Sequence, residues 1–173
     1  MTMLRLCAAL AAVAQSSPGR PTTNVPRHQW QLAEVPWLAA LQDGAVLSEL
    51  QSLADRDLAG DGDLFAADFG PNSDLTEQHG GWTALPLLNK GILSVRGCAA
   101  APLTCATLRG LSAHLAPRST GAAAQEVGVR LLKLAVGASI RPHVGPGGRL
   151  VAHLGLRVPP AGASLTLAGE TLA

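Results

Sequence analysis

The residues best suited to chemistry lie between Ser139 and Pro160, in the stretch SIRPHVGPGGRLVAHLGLRVPP. His143 follows a proline, which favours extended backbone before it, and precedes a glycine-proline turn. His153 lies ten positions later, on a strand predicted to return from that turn. Such a hairpin can bring both imidazoles to one cavity. Imidazole binds iron, copper and zinc, and an arginine beside it, such as Arg149, can hold a carboxylate.

The residue types alone leave a plainer interpretation open, because a histidine in a strand is often only a hydrogen-bonded structural residue. The pattern around His153 nevertheless predicts where its side chain points. Residues 149–158 alternate, as a strand with one buried face does. One face carries Leu150, Ala152, Leu154, Leu156 and Val158, and the other carries Arg149, Val151, His153, Gly155 and Arg157. We therefore expect Arg149 and His153 to point together into solvent or a cavity.

The elements around this hairpin are predicted from the rest of the chain. Similar short apolar runs at 127–136 and 163–169, separated by glycine and proline turns, favour an all-β sandwich or barrel. Upstream, VPWLAALQDGAVLSELQSLADRDL has nearly helical apolar spacing and predicts one or two helices, with Asp43 and Ser48 as candidate caps. Residues 18–36 are polar and rich in proline, which is typical of a linker.

The N-terminus predicts export. Arg5 precedes a short apolar run, and the small residues of Ala12–Ala14 follow, as in a secretory signal peptide over residues 1–17. The run is about half as long as a membrane-spanning helix requires, so we expect no stable membrane insertion after cleavage. The predicted location is the secretory pathway, lumenal or secreted, with organelle targeting or a membrane anchor as alternatives.

Composition limits the partners. The net charge of +1 and the aromatic content of 3% give little basis for nucleic-acid binding, which we do not expect. Cys98 and Cys105 lie seven positions apart across a predicted loop that contains Pro102. From spacing alone they are either a small disulfide ring in an oxidising compartment or two buried thiols.

The ordered run P-H-x-G-P and R-L-x-x-H-L-G-L, with the upstream GW and CAAAPLTC, resembles the aspartyl/asparaginyl β-hydroxylase family over about residues 81–173. The resemblance implies an enzyme that depends on Fe(II) and on 2-oxoglutarate as cosubstrate. Such a dioxygenase hydroxylates Asp or Asn side chains of a peptide or protein substrate. The implied fold class is mainly β: a partial double-stranded β-helix, jelly-roll or cupin-like, with N-terminal helices, over residues 37–173.

The resemblance also implies functions for single residues. His143 matches the first iron-ligand histidine and is the predicted catalytic metal ligand. His153 matches a histidine that lines the 2-oxoglutarate pocket, and Arg149 shares its strand face and is a second candidate for cosubstrate binding. Trp82 matches a tryptophan beside the substrate groove. The cysteines resemble a pair that forms a disulfide in lumenal members, so a disulfide between Cys98 and Cys105 is expected.

The chain departs from the family pattern at two positions. Val151 stands where the family has an arginine that contacts the oxo-acid, and Leu132 stands where it has a serine that helps to bind the cosubstrate. The resemblance places the second iron histidine beyond Ala173, so we expect a C-terminally truncated member with impaired or no activity. The alternative function is a secreted, noncatalytic β-sandwich module that binds a peptide or protein.

Overall fold

The computed structural model describes residues 5–12, 36–59, 64–67, 82–115, 128–141, 150–159, 164–167 and 170–172. The strands are β1 (Arg5–Ala12), β2 (Ala66–Ala67), β3 (Trp82–Asn89), β4 (Ile92–Leu93), β5 (Gly128–Leu134), β6 (Leu150–Gly155), β7 (Leu165–Leu167) and β8 (Glu170–Leu172). A 3-10 helix spans Pro36–Gln42. The α-helices are α1 (Gly44–Ala59), α2 (Val95–Ala100), α3 (Pro102–Gly110) and α4 (Ser112–Leu115).

Helix α1 is the main helical contribution to the core. Asp43 caps it, because its Oδ1 accepts hydrogen bonds from the backbone N–H groups of Ala45 at 2.9 Å and Val46 at 3.4 Å. The predicted cap at Asp43 is thus confirmed, whereas the one at Ser48 is wrong, since Ser48 lies exposed inside the helix. Buried side chains recur at helical spacing at Val46, Leu50 and Leu53, and they belong to the same buried cluster as side chains of β3 and β5.

Most of the described strands form one antiparallel sheet in the order β2-β3-β5-β1-β6, with β4 paired to β3, while β7 and β8 form a separate hairpin. Strand β1 lies between β5 and β6 and pairs with both. It is formed by residues that the sequence places within the predicted signal peptide. Within the part of the chain that the structure describes, β5 is therefore joined to the motif-bearing β6 through β1.

One face of this sheet, here called the core face, packs on the helices. The register aligns Leu85 of β3, Leu131 of β5 and Leu154 of β6 in one row, with Ala8 of β1 between the last two. Leu85 and Leu131 are buried in the same cluster as Leu53 of α1, and Leu154 packs against that cluster. The opposite side is called the outer face.

The alternation predicted for β6 is confirmed within the strand and fails beyond it. Ala152 and Leu154 pack against the core, whereas His153 between them is exposed. Arg157 was predicted to share the face of His153, and this is wrong, because β6 ends at Gly155. Beyond the strand the two-residue period no longer applies, and Arg157 contacts α1 instead.

The predicted loop around Pro102 is instead a corner between α2 and α3. Pro102 occupies the first turn of α3, where its missing N–H would have no helical partner in any case. Gly97 lets α2 approach β3, since a Cβ at this position would lie 2.1 Å from the carbonyl oxygen of Pro86. The loop prediction is therefore wrong, because a proline fits the first turn of a helix as well as it fits a loop.

The double-stranded β-helix stays a prediction, as do the domain limits. In the part of the chain that the structure describes, no helix combines the length and the apolar character needed to cross a membrane.

Candidate functional site

Some of the residues singled out from the sequence lie in the described part of the chain. His153 is exposed on β6, Trp82 is half-buried at the start of β3, and both cysteines are described. His143 and Arg149 lie outside the described residues, as do Gly145 and Pro146 of the turn between them. The geometry of the site is therefore built here from the sheet that carries His153.

His153 and Arg130 lie in one cross-strand row. Ala9 of β1 pairs with His153 of β6 on one side and with Arg130 of β5 on the other. Directly paired residues of antiparallel strands share a face, so both side chains belong to the outer face. Their backbones are two strand spacings apart, roughly 10 Å. A guanidinium and an imidazole at this separation can contact the two ends of a small anionic ligand.

Trp82 shares the outer face but lies far from His153. It pairs with Leu134, four residues along β5 from Arg130. The offset from His153 is thus roughly 13 Å along the strands and three strand spacings, roughly 14 Å, across them. The structure does not bring Trp82 and His153 together. A ligand in contact with both would have to be extended, as a peptide is.

Two carboxylates of α1 fix the strands that carry this face. Asp57, whose side chain is 6% exposed, pairs with Lys133 of β5 at 2.5 Å between Oδ2 and Nζ. Asp55 accepts two hydrogen bonds from the guanidinium of Arg157, just after β6, at 3.1 and 2.8 Å. These bonds lower the pKa of the Asp55 carboxyl and raise the pKa of Arg157. The segments that bear Arg130 and His153 are both tied to one helix.

Comparison with known proteins decides the family. Residues 45–173 match the family model described as Aspartyl/Asparaginyl beta-hydroxylase. The chain belongs to this family. It is similar to the aspartyl/asparaginyl beta-hydroxylases of Mus musculus and Homo sapiens, with 31% and 30% identity over 104 residues. The matched part is 60% of this chain and only 13% of each relative. No solved structure matches the chain.

Family membership confirms the resemblance predicted from the sequence. Leu132 pairs with Cys7 of β1, which in turn pairs with Gly155, so it lies on the outer face one alternate position from Arg130. Leu132 and Val151 are the two positions at which the sequence is expected to depart from the family pattern. Arg130 is a basic side chain on that same face, and the sequence interpretation did not single it out. Its spacing of two from Leu132 is the signal that could have revealed it.

The predicted metal ligand, His143, lies outside the described residues. No group of three or more His, Cys, Asp or Glu side chains that could hold a metal ion occurs among the residues that the structure describes. On the outer face the described side chains include the imidazole of His153 and the guanidinium of Arg130. This pair suits a carboxylate ligand, but it does not by itself form an iron site.

The cysteines of this β-hydroxylase family member are joined in the structure. Cys98 in α2 and Cys105 in α3 form a disulfide, with Cα atoms 5.4 Å apart. The bond closes the corner at Ala101, which is fully buried. It therefore holds the two short helices against each other, on the helical side of the fold.

Proposed function

We propose that this chain carries the catalytic-domain sequence of a peptidyl-aspartyl/asparaginyl β-hydroxylase that depends on Fe(II) and 2-oxoglutarate. The observation that supports the proposal most strongly is the family match over residues 45–173, which includes His143 and the whole β6 strand. The two curated relatives are named for aspartyl and asparaginyl hydroxylation. A peptide or protein substrate is proposed for this chain on that basis.

In this proposal His143 is the protein ligand of the iron, and bound iron with 2-oxoglutarate supplies the oxidation of a C–H bond by dioxygen. His153 and Arg149 bind the cosubstrate. Trp82 contacts the peptide, and the extended outer face between Trp82 and His153 would hold it.

Arg130 is proposed as the side chain that offsets the missing arginine at Val151. It lies in the same outer-face row as His153, and its guanidinium can form a charge-assisted, bidentate pair with a carboxylate. A valine at 151 cannot do so. The distal carboxylate of an oxo-diacid is the group that Arg130 would bind.

Anaerobic titration tests the metal and the cosubstrate together. Adding Fe(II) and then 2-oxoglutarate to the full chain should produce a weak visible charge-transfer band. His143→Ala should abolish the band. His114→Ala is the matched control, because His114 is exposed on α4, stacked on Trp37, and should leave the band intact. A band that persists in His143→Ala would refute the ligand assignment.

Binding of the cosubstrate is measured by the 2-oxoglutarate concentration at which the charge-transfer band reaches half of its full intensity. Arg130→Gln should shift the 2-oxoglutarate midpoint of the band upward by about tenfold, as expected when a charge-assisted pair is lost. Arg109→Gln, an exposed arginine of α3, should leave the midpoint unchanged. Equal midpoints for the parent chain and Arg130→Gln would remove Arg130 from the site.

The aliphatic residues at Leu132 and Val151 favour a second candidate, a secreted noncatalytic β-sandwich module that binds a peptide or protein. It predicts no band with Fe(II) and 2-oxoglutarate while the far-ultraviolet circular dichroism stays native. A band in the parent chain would eliminate it.

A location in the secretory pathway is proposed from the N-terminal pattern, and the Cys98–Cys105 disulfide supports an oxidising compartment. Cleavage after Ala14 would remove β1, the strand through which Arg130 and His153 share a row, so the proposed role of Arg130 applies to the uncleaved chain. Mass determination of the secreted protein distinguishes the cleaved chain from the uncleaved chain. A mature N-terminus near Gln15 supports the signal, and an intact N-terminus contradicts it.

A further inference from the structure

Strand β1 fills a space that is one strand wide between β5 and β6. It is antiparallel to both neighbours, with seven paired positions along β5 and six along β6. β5 and β6 therefore run parallel to each other, two strand spacings or roughly 10 Å apart. This space, between the facing edges of Gly128–Leu134 and Leu150–Gly155, is here called the β5–β6 slot. Without an occupant, both edges would expose unpaired backbone N–H and C=O groups.

Helix α1 holds the two sides of the slot through contacts that do not involve β1. Asp57 is paired with Lys133 of β5, and Asp55 is bonded to Arg157, just after β6. Direct pairing of β5 with β6 would require one of these anchored strands to move by roughly one strand spacing, about 5 Å. The slot is therefore preorganised to accept a strand and not to close on itself.

The rows across the slot on the core face are complementary in size. Four aliphatic residues flank the slot on this face: Val129 and Leu131 of β5, and Ala152 and Leu154 of β6. Ala8 of β1 lies opposite the two leucines, and Leu10 lies opposite the valine and the alanine. Each small residue thus meets larger residues across the strands, which fixes the register of the occupant.

The row between these two sets a second size limit, on the outer face. Ala9 lies opposite Arg130 on one side and His153 on the other, so the middle residue of this row is again the smallest. Residues 6–12 contain no charged side chain and nothing larger than leucine. The slot therefore suits an uncharged apolar strand with two consecutive small residues at its centre.

We infer that the β5–β6 slot, once β1 has been removed, binds an extended segment of a partner protein that is uncharged, apolar and small at two consecutive central positions. The segment runs antiparallel to both edges, as β1 does, and pairs with the backbone of each. A second copy of this chain is not the partner, because cleavage removes the same strand from every secreted copy. The inference rests on the proposed cleavage after Ala14 and is independent of the proposed hydroxylation.

Cutting the full chain after it has folded tests the slot. A recognition site for a specific protease is inserted after Gln15, and the folded chain is cut there. A fluorescent peptide with the sequence of residues 5–12, with Cys7→Ser and lysines added at both ends for solubility, is then added and followed by fluorescence anisotropy. The cut chain should bind the peptide as its own segment leaves, whereas the uncut chain, whose slot is filled, should not. Absence of binding to the cut chain would overturn the inference.

A peptide with Ala8→Leu and Leu10→Ala is the matched control, because it has the same composition and places its leucine between two leucines. It should bind at least about tenfold more weakly, since that row is overpacked. Ala9→Pro should also weaken binding, because proline has no N–H to donate to a neighbouring strand. Equal binding of the parent and exchanged peptides would show apolar adhesion without register and would overturn the inference.

Circular dichroism covers the case in which the cut chain unfolds when its segment leaves. The parent peptide should then restore the native far-ultraviolet spectrum and the exchanged peptide should not, and failure of the parent peptide to do so would overturn the inference. An intact N-terminus in the secreted protein would overturn it through the cleavage, and failed binding would overturn it through the slot. These two failures are therefore distinguishable.

Discussion

Glu49 is a helix cap supplied from another helix, and replacing it is expected to destabilise the whole fold. Its carboxylate accepts hydrogen bonds from the backbone N–H of Leu103 at 2.9 Å, the N–H of Thr104 at 2.7 Å and the hydroxyl of Thr104 at 2.6 Å. Both N–H groups belong to the first turn of α3, where no intrahelical partner exists. Ala101, which precedes α3, offers no side-chain cap. Glu49 is thus the acceptor that completes this helix end.

The size of the effect follows from burial. Thr104 is 1% exposed, so water cannot readily replace the lost acceptor for its hydroxyl and N–H. Each unsatisfied buried donor costs about 1–3 kcal/mol, and the N–H of Leu103, which is exposed, adds little. Glu49→Ala is therefore expected to lower the free energy of unfolding by about 2–5 kcal/mol. For a chain of this length, at about 2–4 °C per kcal/mol, the melting temperature would fall by about 4–20 °C.

Urea unfolding followed by far-ultraviolet circular dichroism measures the change. Ser48→Ala is the control, because Ser48 is the exposed neighbour on the same helix and should change stability by less than about 0.5 kcal/mol. Glu49→Ala and Thr104→Val should also be non-additive, since both remove the same bond. A loss for Glu49→Ala no larger than that of the control, or strictly additive effects, would refute the capping argument.

Three further changes test the packing and the ion pairs. Gly97→Ala should destabilise by about 2–3 kcal/mol in urea unfolding, because its Cβ would overlap a β3 carbonyl oxygen, whereas Gly110→Ala meets nothing within 4 Å and should not destabilise. Asp57→Asn should cost about 2 kcal/mol by the same assay, since it leaves the partly buried lysine of β5 without its counter-charge. Arg157→Gln should flatten the acid limb of the stability profile below about pH 4. The bonds to Arg157 lower the pKa of the Asp55 carboxyl in the folded state. The stability that they contribute is therefore fully present above the ordinary aspartate pKa, and it is lost as the pH falls from there through the lowered pKa. An unchanged acid limb would contradict this.

The sequence predicted local features of β6 because its apolar period is strict and glycine and proline mark its ends. The exposed position of His153 and the packing of Leu154 follow from that period alone. The same method failed at α2 and α3. Pro102 was interpreted as part of a loop, although proline is also common in the first turn of a helix, and the alanines around it fit either state.

The relation between His153 and Arg130 could not be predicted from local pattern. It depends on β1 lying between β5 and β6, a pairing between residues more than a hundred positions apart in the chain. The N-terminal run is apolar throughout, which is compatible with a signal peptide and with a buried strand. Register is a property of the assembled sheet, so the partner of His153 appears only when the strands are in place.

Charge segregation along the chain explains why α1 can organise both sides of the fold. The helix has three acidic residues, and each one binds a different element: Glu49 the start of α3, Asp57 strand β5 and Asp55 the residue that follows β6. These contacts join residues 34–77, which contain ten of the 12 acidic residues, to residues 78–169, which contain nine of the 13 basic residues. A single helix thus fixes the strands of the candidate site and the start of α3, so loosening α1 should weaken the proposed cosubstrate binding as well as the fold.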